Sequence, residues 1–421
     1  MIIPNKIRAW LTPITLLLLL TGCTAPSVLQ PQSESVTTSV PSGIPAPIAS
    51  PNPATPPPIA NPNPAALPPI TSPNPAALPP ITSPNPASPA PSATSASTIL
   101  MVTHSKSDYM SFLDPATGSF EKLTVGKAPF AIAEGPQHRA YVSTAEGVAV
   151  VDTLQRKRLA LVPYQSDVGK PQFGEYRPGG MGIAASPDGK FVYVGVNLPG
   201  RSQSQLEILD TGKLAMIGSV AVGIRPFDVV TSSDGREVYS IDHDSYSVTA
   251  VDPAARKART LEAAPFGRGG FEKPHYAAVR TDGRLLLPYQ GRGLVVLDPA
   301  SGNYETQPLT GNTHQEGVTL TADGKQLLII GIGAAGSATG KPNLTVLDVN
   351  NYAEKILPME RMHQMVTSSA DGRYAFLTGG VTYADTGWNG MSVVDLQSGA
   401  VRDFALPDYP LDVQLLGGSH S

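Results

Sequence analysis

The sequence predicts an all-β protein, a seven-bladed β-propeller that follows a signal segment and a proline-rich linker. Two markers repeat through residues 98–421 with a period of roughly 40 to 58 residues, which is typical of repeated supersecondary units. One marker is an apolar strand that ends in Asp, and it occurs at Asp114, Asp152, Asp210, Asp252, Asp298, Asp348 and Asp395. The other is an Asp-Gly turn, which begins at Asp188, Asp234, Asp282, Asp323 and Asp371. Asp-Gly between apolar runs indicates a tight hairpin, and seven four-stranded units around one axis form a propeller.

Each unit predicts four short strands, as the third unit illustrates. Its strands are expected at 182–186, 191–195, 205–209 and 216–222. The first unit, which begins at Thr98, lacks an innermost strand, and residues 410–416 form an apolar strand that no further unit follows. Pairing of these two ends completes seven blades and leaves no open sheet edge. We therefore predict that the C-terminal strand closes the ring.

One stretch indicates the type of repeat. Residues 186–194 read Ser-Pro-Asp-Gly-Lys-Phe-Val-Tyr-Val, which resembles the YVTN-type propeller repeat, a WD-like repeat. The resemblance extends over residues 98–421 and implies a β-propeller. It implies no particular function, because propellers serve as enzymes, carriers and docking platforms alike.

The N-terminus predicts a secretory signal peptide over residues 1–22. Lys6 and Arg8 precede an apolar run that is too short to span a bilayer as a mature helix. The run ends in Leu20-Thr21-Gly22-Cys23, which resembles the bacterial lipobox. The resemblance implies that Cys23 carries acyl chains such as palmitate and anchors the protein to a bacterial membrane, outside the cytoplasm; an ordinary signal peptide with a chance Cys is the alternative. Because Thr24 rather than Asp follows, the lipoprotein sorting rule implies the outer membrane and the periplasm, if the source has them.

Residues 23–97 predict a lipid-anchored, proline-rich and disordered linker. Residues 24–97 hold 22 of the 43 prolines, and Pro-Asn-Pro-Ala recurs every 11 residues from Pro51 to Pro84. Because Pro fixes φ and lacks an N–H, this stretch forms neither a strand ladder nor a core, and we expect extended polyproline II. It is interpreted as a spacer that lifts the propeller off the membrane, with unselected low-complexity drift as the alternative.

Composition excludes several classes of function. The net charge of −4 excludes a nucleic-acid partner, since a phosphate-binding face needs a basic excess. Cys23 is the only Cys, which excludes internal disulfides and CxxC redox or metal motifs. The sequence contains no nucleophile motif, phosphate loop or acidic metal cluster, so no residue is assigned a catalytic role.

The predicted blades have one face with long, variable loops, which we call the loop face. It carries the links from the fourth strand of one blade to the next and the loops between second and third strands. Long irregular loops on a rigid scaffold usually carry binding or catalysis. The longest segments are expected at 164–180, 197–204, 263–274, 331–342 and 379–390.

Three histidines of the loop face, His275, His314 and His363, form the predicted metal or cofactor site. Each lies where a blade begins its innermost strand, and the three blades are consecutive. The imidazoles are therefore expected to line one side of the funnel mouth, where neutral nitrogen ligands suit copper, zinc or haem iron. The alternative is three separate polar side chains that line a wet funnel.

Three further loop-face residues complete the predicted ligand-binding set. Arg225 and Arg292 suit an anionic ligand through bidentate pairing, although solvated loop charges are the alternative. Trp388 lies in a Gly-flanked loop and is interpreted as a stacking platform or as simple loop packing.

Three functions follow from these patterns. The first is a membrane-tethered binding module that uses the loop face for a small ligand or a partner protein. The second is a carrier of copper or haem, similar to the histidine-lined propellers of some nitrite and nitrous oxide reductases. The third is a lactonase-like hydrolase, because Pro274-His275-Tyr276-Ala277 followed by Asp282-Gly283-Arg284 resembles propeller lactonases. The tether and spacer favour the binding module over an enzyme.

Overall fold

The computed structural model describes residues 98–268, 272–289, 293–311, 316–332, 340–380 and 388–418. The predicted signal peptide, Cys23 and the proline-rich linker lie outside the described residues, as do Arg292 and His314. Within the described ranges the chain forms 28 β-strands and one short 3-10 turn at His243–Ser245. No helix in those ranges has the length and apolar character needed to cross a membrane.

The strands form seven four-stranded antiparallel sheets, which are the predicted blades. Blade 1 contains β1 Leu100–His104, β2 Tyr109–Leu113, β3 Phe120–Thr124 and β28 Pro410–Leu415, and blade 2 contains β4 Ile132–Gly135, β5 Arg139–Ser143, β6 Gly147–Asp152 and β7 Lys157–Pro163. Blade 3 contains β8 Gly179–Ala185, β9 Phe191–Asn197, β10 Ser204–Asp210 and β11 Ala215–Val222, and blade 4 contains β12 Pro226–Thr231, β13 Val238–Asp242, β14 Ser247–Asp252 and β15 Lys257–Glu262.

The remaining blades complete the ring. Blade 5 contains β16 Ala278–Val279, β17 Leu285–Tyr289, β18 Gly293–Leu297 and β19 Tyr304–Gln307. Blade 6 contains β20 Val318–Leu320, β21 Gln326–Gly331, β22 Asn343–Asp348 and β23 Glu354–Pro358. Blade 7 contains β24 Val366–Ser368, β25 Tyr374–Thr378, β26 Gly390–Asp395 and β27 Val401–Ala405. The seven-bladed all-β fold predicted from the sequence is confirmed.

Ring closure by the C-terminal strand is also confirmed. The sheet of blade 1 has the order β28-β1-β2-β3, and Leu100 pairs with Leu415 while Val102 pairs with Val413. These side chains are buried in one apolar cluster that also contains Leu113. The innermost strand of blade 1 therefore comes from the end of the chain, and the other three come from the start of the propeller.

The two sequence markers are turn residues, and they lie on the face opposite the long loops. In the third unit, Asp188 accepts hydrogen bonds from the Ser186 hydroxyl (2.7 Å) and the Lys190 amide (3.1 Å), and Gly189 takes a φ of +68°. Asp210, at the end of the third strand, accepts the Lys213 amide at 2.9 Å. Both aspartates satisfy backbone donors in tight turns, which explains why the strand-end Asp recurs in all seven blades and the Asp-Gly turn in five.

Close contact between blades depends on small residues in the innermost strands. A Cβ added to Gly182 would lie 2.4 Å from the Cα of Asp228, and one added to Gly317 would lie 2.6 Å from the Cα of Met365. Only glycine permits these distances, so blades 3 and 4, and blades 6 and 7, approach each other closely at the axis. The apolar cluster along the axis includes Phe227 and Tyr276 from neighbouring blades.

Candidate functional site

The loop-face end of the propeller axis is lined by one equivalent position from each blade. On the described blades, this position lies five residues before the residue whose backbone amide closes the hairpin between the first and second strands. That closing residue is Arg280 in blade 5 and Ser369 in blade 7. On one side of the axis the layer is apolar and belongs to a buried cluster, with Phe130, Met181, Phe227 and Leu411. On the other side it is polar, with His275, Glu316 and Gln364. The layer thus combines an apolar wall with a polar wall.

A loop between blades 2 and 3 reaches over this layer. Arg177 holds it in place, because its buried guanidinium donates to the backbone oxygens of Ala128 (2.6 Å) and Gly180 (2.6 Å). Burial lowers the Arg177 pKa to about 10. The adjoining residues Glu175 and Tyr176 are thereby directed to the axis, Glu175 buried and Tyr176 56% exposed.

The apolar wall continues into a stack of aromatic rings. The imidazoles of His243 and His275 stack with centroids 4.3 Å apart, and Phe227 lies 4.4 Å from His275. Tyr176 meets Phe227 edge-on at 5.5 Å. Burial lowers the His243 pKa, although its hydrogen bond to Asp244 opposes this shift. The result is a continuous aromatic surface that begins at buried Phe227 on the axis and ends at exposed Tyr176.

Asp244 connects this surface to two cations. Its carboxylate lies 2.7 Å from His243 Nδ1, 3.0 Å from Lys273 Nζ and 3.1 Å from an Arg225 Nη1. Burial opposes ionisation of Asp244, but the bonds from His243 and Lys273 outweigh it and hold its pKa well below the ordinary value. The Arg225 guanidinium also lies over the Tyr176 ring at 5.0 Å. Predicted ligand residue Arg225 therefore lies at the mouth, paired with Asp244.

The polar wall contains a buried pair of carboxyl groups that share one amide. Gln364 Nε2 donates to Glu175 (3.1 Å) and to Glu316 (2.7 Å), and the Tyr409 hydroxyl donates to Glu175 at 3.0 Å. Burial raises the pKa of Glu175 to about 7. Burial and the charge of Glu175 also raise the pKa of Glu316. Both carboxyls therefore release their protons at a higher pH than exposed carboxyls would.

The predicted histidines occupy different environments. His275 belongs to the aromatic stack, whereas His363 is buried in blade 7, where its Nε2 lies 2.7 Å from the Ser392 hydroxyl. Ser392 in turn donates to Asp403 at 2.6 Å. His314, the third member, lies outside the described residues, so the cluster of three stays a prediction. In the described part of the chain, no group of three His, Cys, Asp or Glu side chains is placed to hold a metal ion.

Trp388 packs beside His363. Its indole Nε1 donates to the backbone oxygen of Met362 at 3.0 Å, and its ring meets the His363 ring edge-on at 6.0 Å. The Arg361 guanidinium covers the Trp388 ring at 5.0 Å. These contacts correspond to loop packing, one of the two interpretations of this residue from the sequence. Arg292 lies outside the described residues, and its predicted role in ligand binding stays a prediction.

The buried His363 yields a prediction about stability and pH. Burial lowers the pKa of His363 to about 3, so His363 stays neutral in the folded state while the unfolded chain protonates near its ordinary 6.5. The stabilisation that the neutral, buried imidazole contributes to the fold is therefore complete well above pH 6.5, and it is lost as the pH falls from 6.5 toward 3. We expect His363→Gln, which does not titrate, to be less stable than the wild type at pH 8, with a difference that shrinks by about 2 kcal/mol at pH 5. Urea unfolding at both pH values measures this change, and a constant difference would contradict it; exposed His138→Gln is the control.

The sequence analysis did not identify the cluster of Glu175, Glu316, Gln364 and Tyr409. A repeated spacing in the sequence marks two of these residues, since Glu316 and Gln364 each lie seven residues before the Asp of an Asp-Gly turn. His275 has the same spacing, whereas His363 lies eight residues before its Asp. Glu175 and Tyr409 come from segments between blades, and no repeat marks them.

Comparisons with known proteins agree with the fold. No profile of a protein family and no curated protein matches the sequence. The chain is similar to the solved structure of Kuenenia stuttgartiensis hydrazine synthase, with a TM-score of 0.51 and 18% identity over 72% of this chain and 94% of that chain. It is also similar to the dihydro-haem d1 dehydrogenase NirN in complex with DHE, with a TM-score of 0.51 and 18% identity over 77% of this chain and 68% of that chain. At this identity, the likeness establishes the fold alone.

Proposed function

We propose that this protein is a membrane-tethered, extracytoplasmic binding module that uses the mouth of the loop face to hold a ligand or a partner protein. The observation that carries the proposal is the aromatic surface that runs from buried Phe227 to exposed Tyr176. Phe173, on the same loop, is 52% exposed, and the Lys127 ammonium covers its ring at 4.5 Å. Exposed aromatic side chains beside a cation are typical of the centres of binding interfaces.

A photo-cross-linking experiment on whole cells tests this proposal. We expect a benzoylphenylalanine at Tyr176 to form a specific cross-linked adduct in the native membrane. The control is the same residue at Leu154, which is 74% exposed in a turn of the opposite face. Equal labelling from both positions, or adducts from Leu154 alone, would contradict a binding role for the loop face.

The second candidate function is haem handling. It is supported by the two imidazoles at the mouth and by the likeness to the solved structure of NirN in complex with DHE. The His243 and His275 rings stack with centroids 4.3 Å apart, so at most one of them would hold the haem iron. Arg225 and Lys273 would face the haem carboxylates. The haem chemistry itself would be supplied by the bound group.

Haem titration distinguishes this candidate from the first. If the protein handles haem, the Soret band should shift on addition of haemin, and His275→Ala should weaken binding at least tenfold. His138→Ala, on the opposite face, is the matched control. An unchanged spectrum, or equal binding by both variants, would exclude haem handling through His275 and leave the binding module untouched.

A further inference from the structure

A cavity of about 60 Å³ lies on the axis below the apolar and polar walls. Six of the seven blades contribute to its lining, which includes Asp228 of blade 4, Tyr276 of blade 5 and Asp412 of blade 1. A water molecule needs about 10 to 15 Å³, so the space accepts a small ion with part of its hydration shell. Phe130, Phe227 and Leu411 of the apolar wall form part of its lining, but the two aspartates belong to neither wall, and the inference does not depend on the proposed function.

Backbone amides fix the two carboxylates in the cavity wall. Asp228 accepts from the amides of Val229 (2.9 Å) and Ala277 (3.0 Å). Asp412 accepts from the amides of Ile132 (2.7 Å) and Val413 (2.8 Å). Because a carboxylate offers about four acceptor sites, both oxygens of Asp228 and the Oδ2 of Asp412 keep a further lone pair, whereas the Oδ1 of Asp412 also accepts from the Gln414 amide. Both side chains are therefore held rigidly at the cavity with acceptor capacity to spare.

The charge of this pair is not balanced by the described part of the chain. The hydrogen bonds that the two aspartates accept come from neutral groups, including the Gln414 amide at 3.3 Å from Asp412. Burial raises the pKa of Asp228 to about 6 and that of Asp412 to about 7, and the charge of Asp228 adds to the second shift. A positive ion between the two aspartates would offset the free-energy cost of burying their negative charges.

An independent observation points to a ligand. The Tyr276 side chain is only 5% exposed, borders the same cavity, and its hydroxyl has no hydrogen-bond partner among the described residues. A buried polar group without a partner costs about 1 to 3 kcal/mol, and native proteins satisfy nearly all such groups. Burial and the charges of four nearby carboxyls, Glu175, Glu316, Asp228 and Asp412, raise the Tyr276 pKa, and its hydroxyl oxygen is available as a third oxygen ligand in the cavity.

We propose that the axial cavity is a Ca²⁺ site in which Asp228, Asp412 and the Tyr276 hydroxyl are ligands and water completes the shell. All three donors are oxygens, which hard cations prefer, and two carboxylates match a divalent charge. The donors come from three separate blades, so they suit the flexible geometry of Ca²⁺ better than the strict octahedron of Mg²⁺. The ion would brace the innermost strands across the axis.

Thermal unfolding and calorimetry of the chelator-treated full-length protein at pH 8 test the site. We expect CaCl₂ to raise the melting temperature, with little effect of equal MgCl₂ or matched NaCl. Asp412→Asn should lose the shift. Asp242→Asn should keep it, because Asp242 is equally buried but is bonded by Ser240 and Thr249 away from the cavity. A Ca²⁺ shift in Asp412→Asn equal to that of the wild type, or no Ca²⁺ shift in the wild type, would overturn the proposal.

Tyr276→Phe decides the question even if the aspartate variants do not fold. Without Ca²⁺ it should be at least as stable as the wild type, because it removes an unpartnered hydroxyl. With Ca²⁺ it should bind at least tenfold more weakly. Tb³⁺ that replaces Ca²⁺ should show luminescence on tyrosine excitation, and this signal should fall in Tyr276→Phe. Unchanged affinity and luminescence in this variant would mean that the ion binds without the Tyr276 hydroxyl, and would overturn the proposed site.

Discussion

Deletion of residues 410–418 is expected to abolish cooperative folding of the propeller. The deletion removes β28, in which Leu411, Val413 and Leu415 are between 0% and 8% exposed. Burial of one such side chain contributes about 1.5 to 3 kcal/mol, so the three together approach the whole stability of an ordinary domain. The deletion also exposes the edge of β1, which promotes aggregation.

Circular dichroism and thermal unfolding measure this effect. Removal of residues 416–418 alone is the matched control, since β28 ends at Leu415, and it should melt close to the wild type. Leu411→Ala supplies an intermediate step, with an expected cost of about 2 to 5 kcal/mol. A cooperative transition at the wild-type temperature in the long deletion would contradict closure by β28.

Replacement of Cys23 by Ser is expected to release the protein from the membrane or to leave its signal peptide uncleaved. Lipidation needs the thiol, and several acyl chains on one residue are expected to account for membrane attachment. Because Cys23 is the only Cys of the chain, the variant breaks no disulfide. Fractionation of cells and the mobility of the protein on a gel measure both outcomes.

The matched control for this experiment is Thr24→Ala, which leaves the lipobox-like sequence of residues 20–23 unchanged. It should remain bound to membranes and should be processed as the wild type. A Cys23→Ser protein that stays in the membrane fraction with unchanged processing would rule out the lipid anchor. Either result leaves the fold of residues 98–418 unaffected.

The blades were predictable because their markers are local. Asp188 and Asp210 satisfy backbone donors within three residues, so the chemistry of each turn is written in adjacent positions. Closure by β28 was predictable for a similar reason, since an unpaired strand pattern at each end requires a partner. The strand bounds of the third blade differ from the expected ones by up to three residues, where pairing extends beyond the apolar core.

The site was less predictable because its members are distant in sequence. Glu175 and Gln364 are separated by 189 positions, and Glu175 and Tyr409 by 234. They meet only because a loop held by Arg177 folds over the axis. The histidines were predicted from their position at the start of consecutive blades, whereas in the sequence the buried carboxyls resemble ordinary loop charges.

The position of β1 has a mechanical consequence. The chain that precedes residue 98 continues into β1, which is paired on one side with β28 and on the other with β2. A pull on the N-terminal segment along the strand therefore loads two hydrogen-bonded ladders in shear, and their bonds, which run across the strands, share the force. An edge strand would instead be peeled away one bond at a time. The proposed membrane tether would thus join the propeller through a strand that resists extraction from both sides.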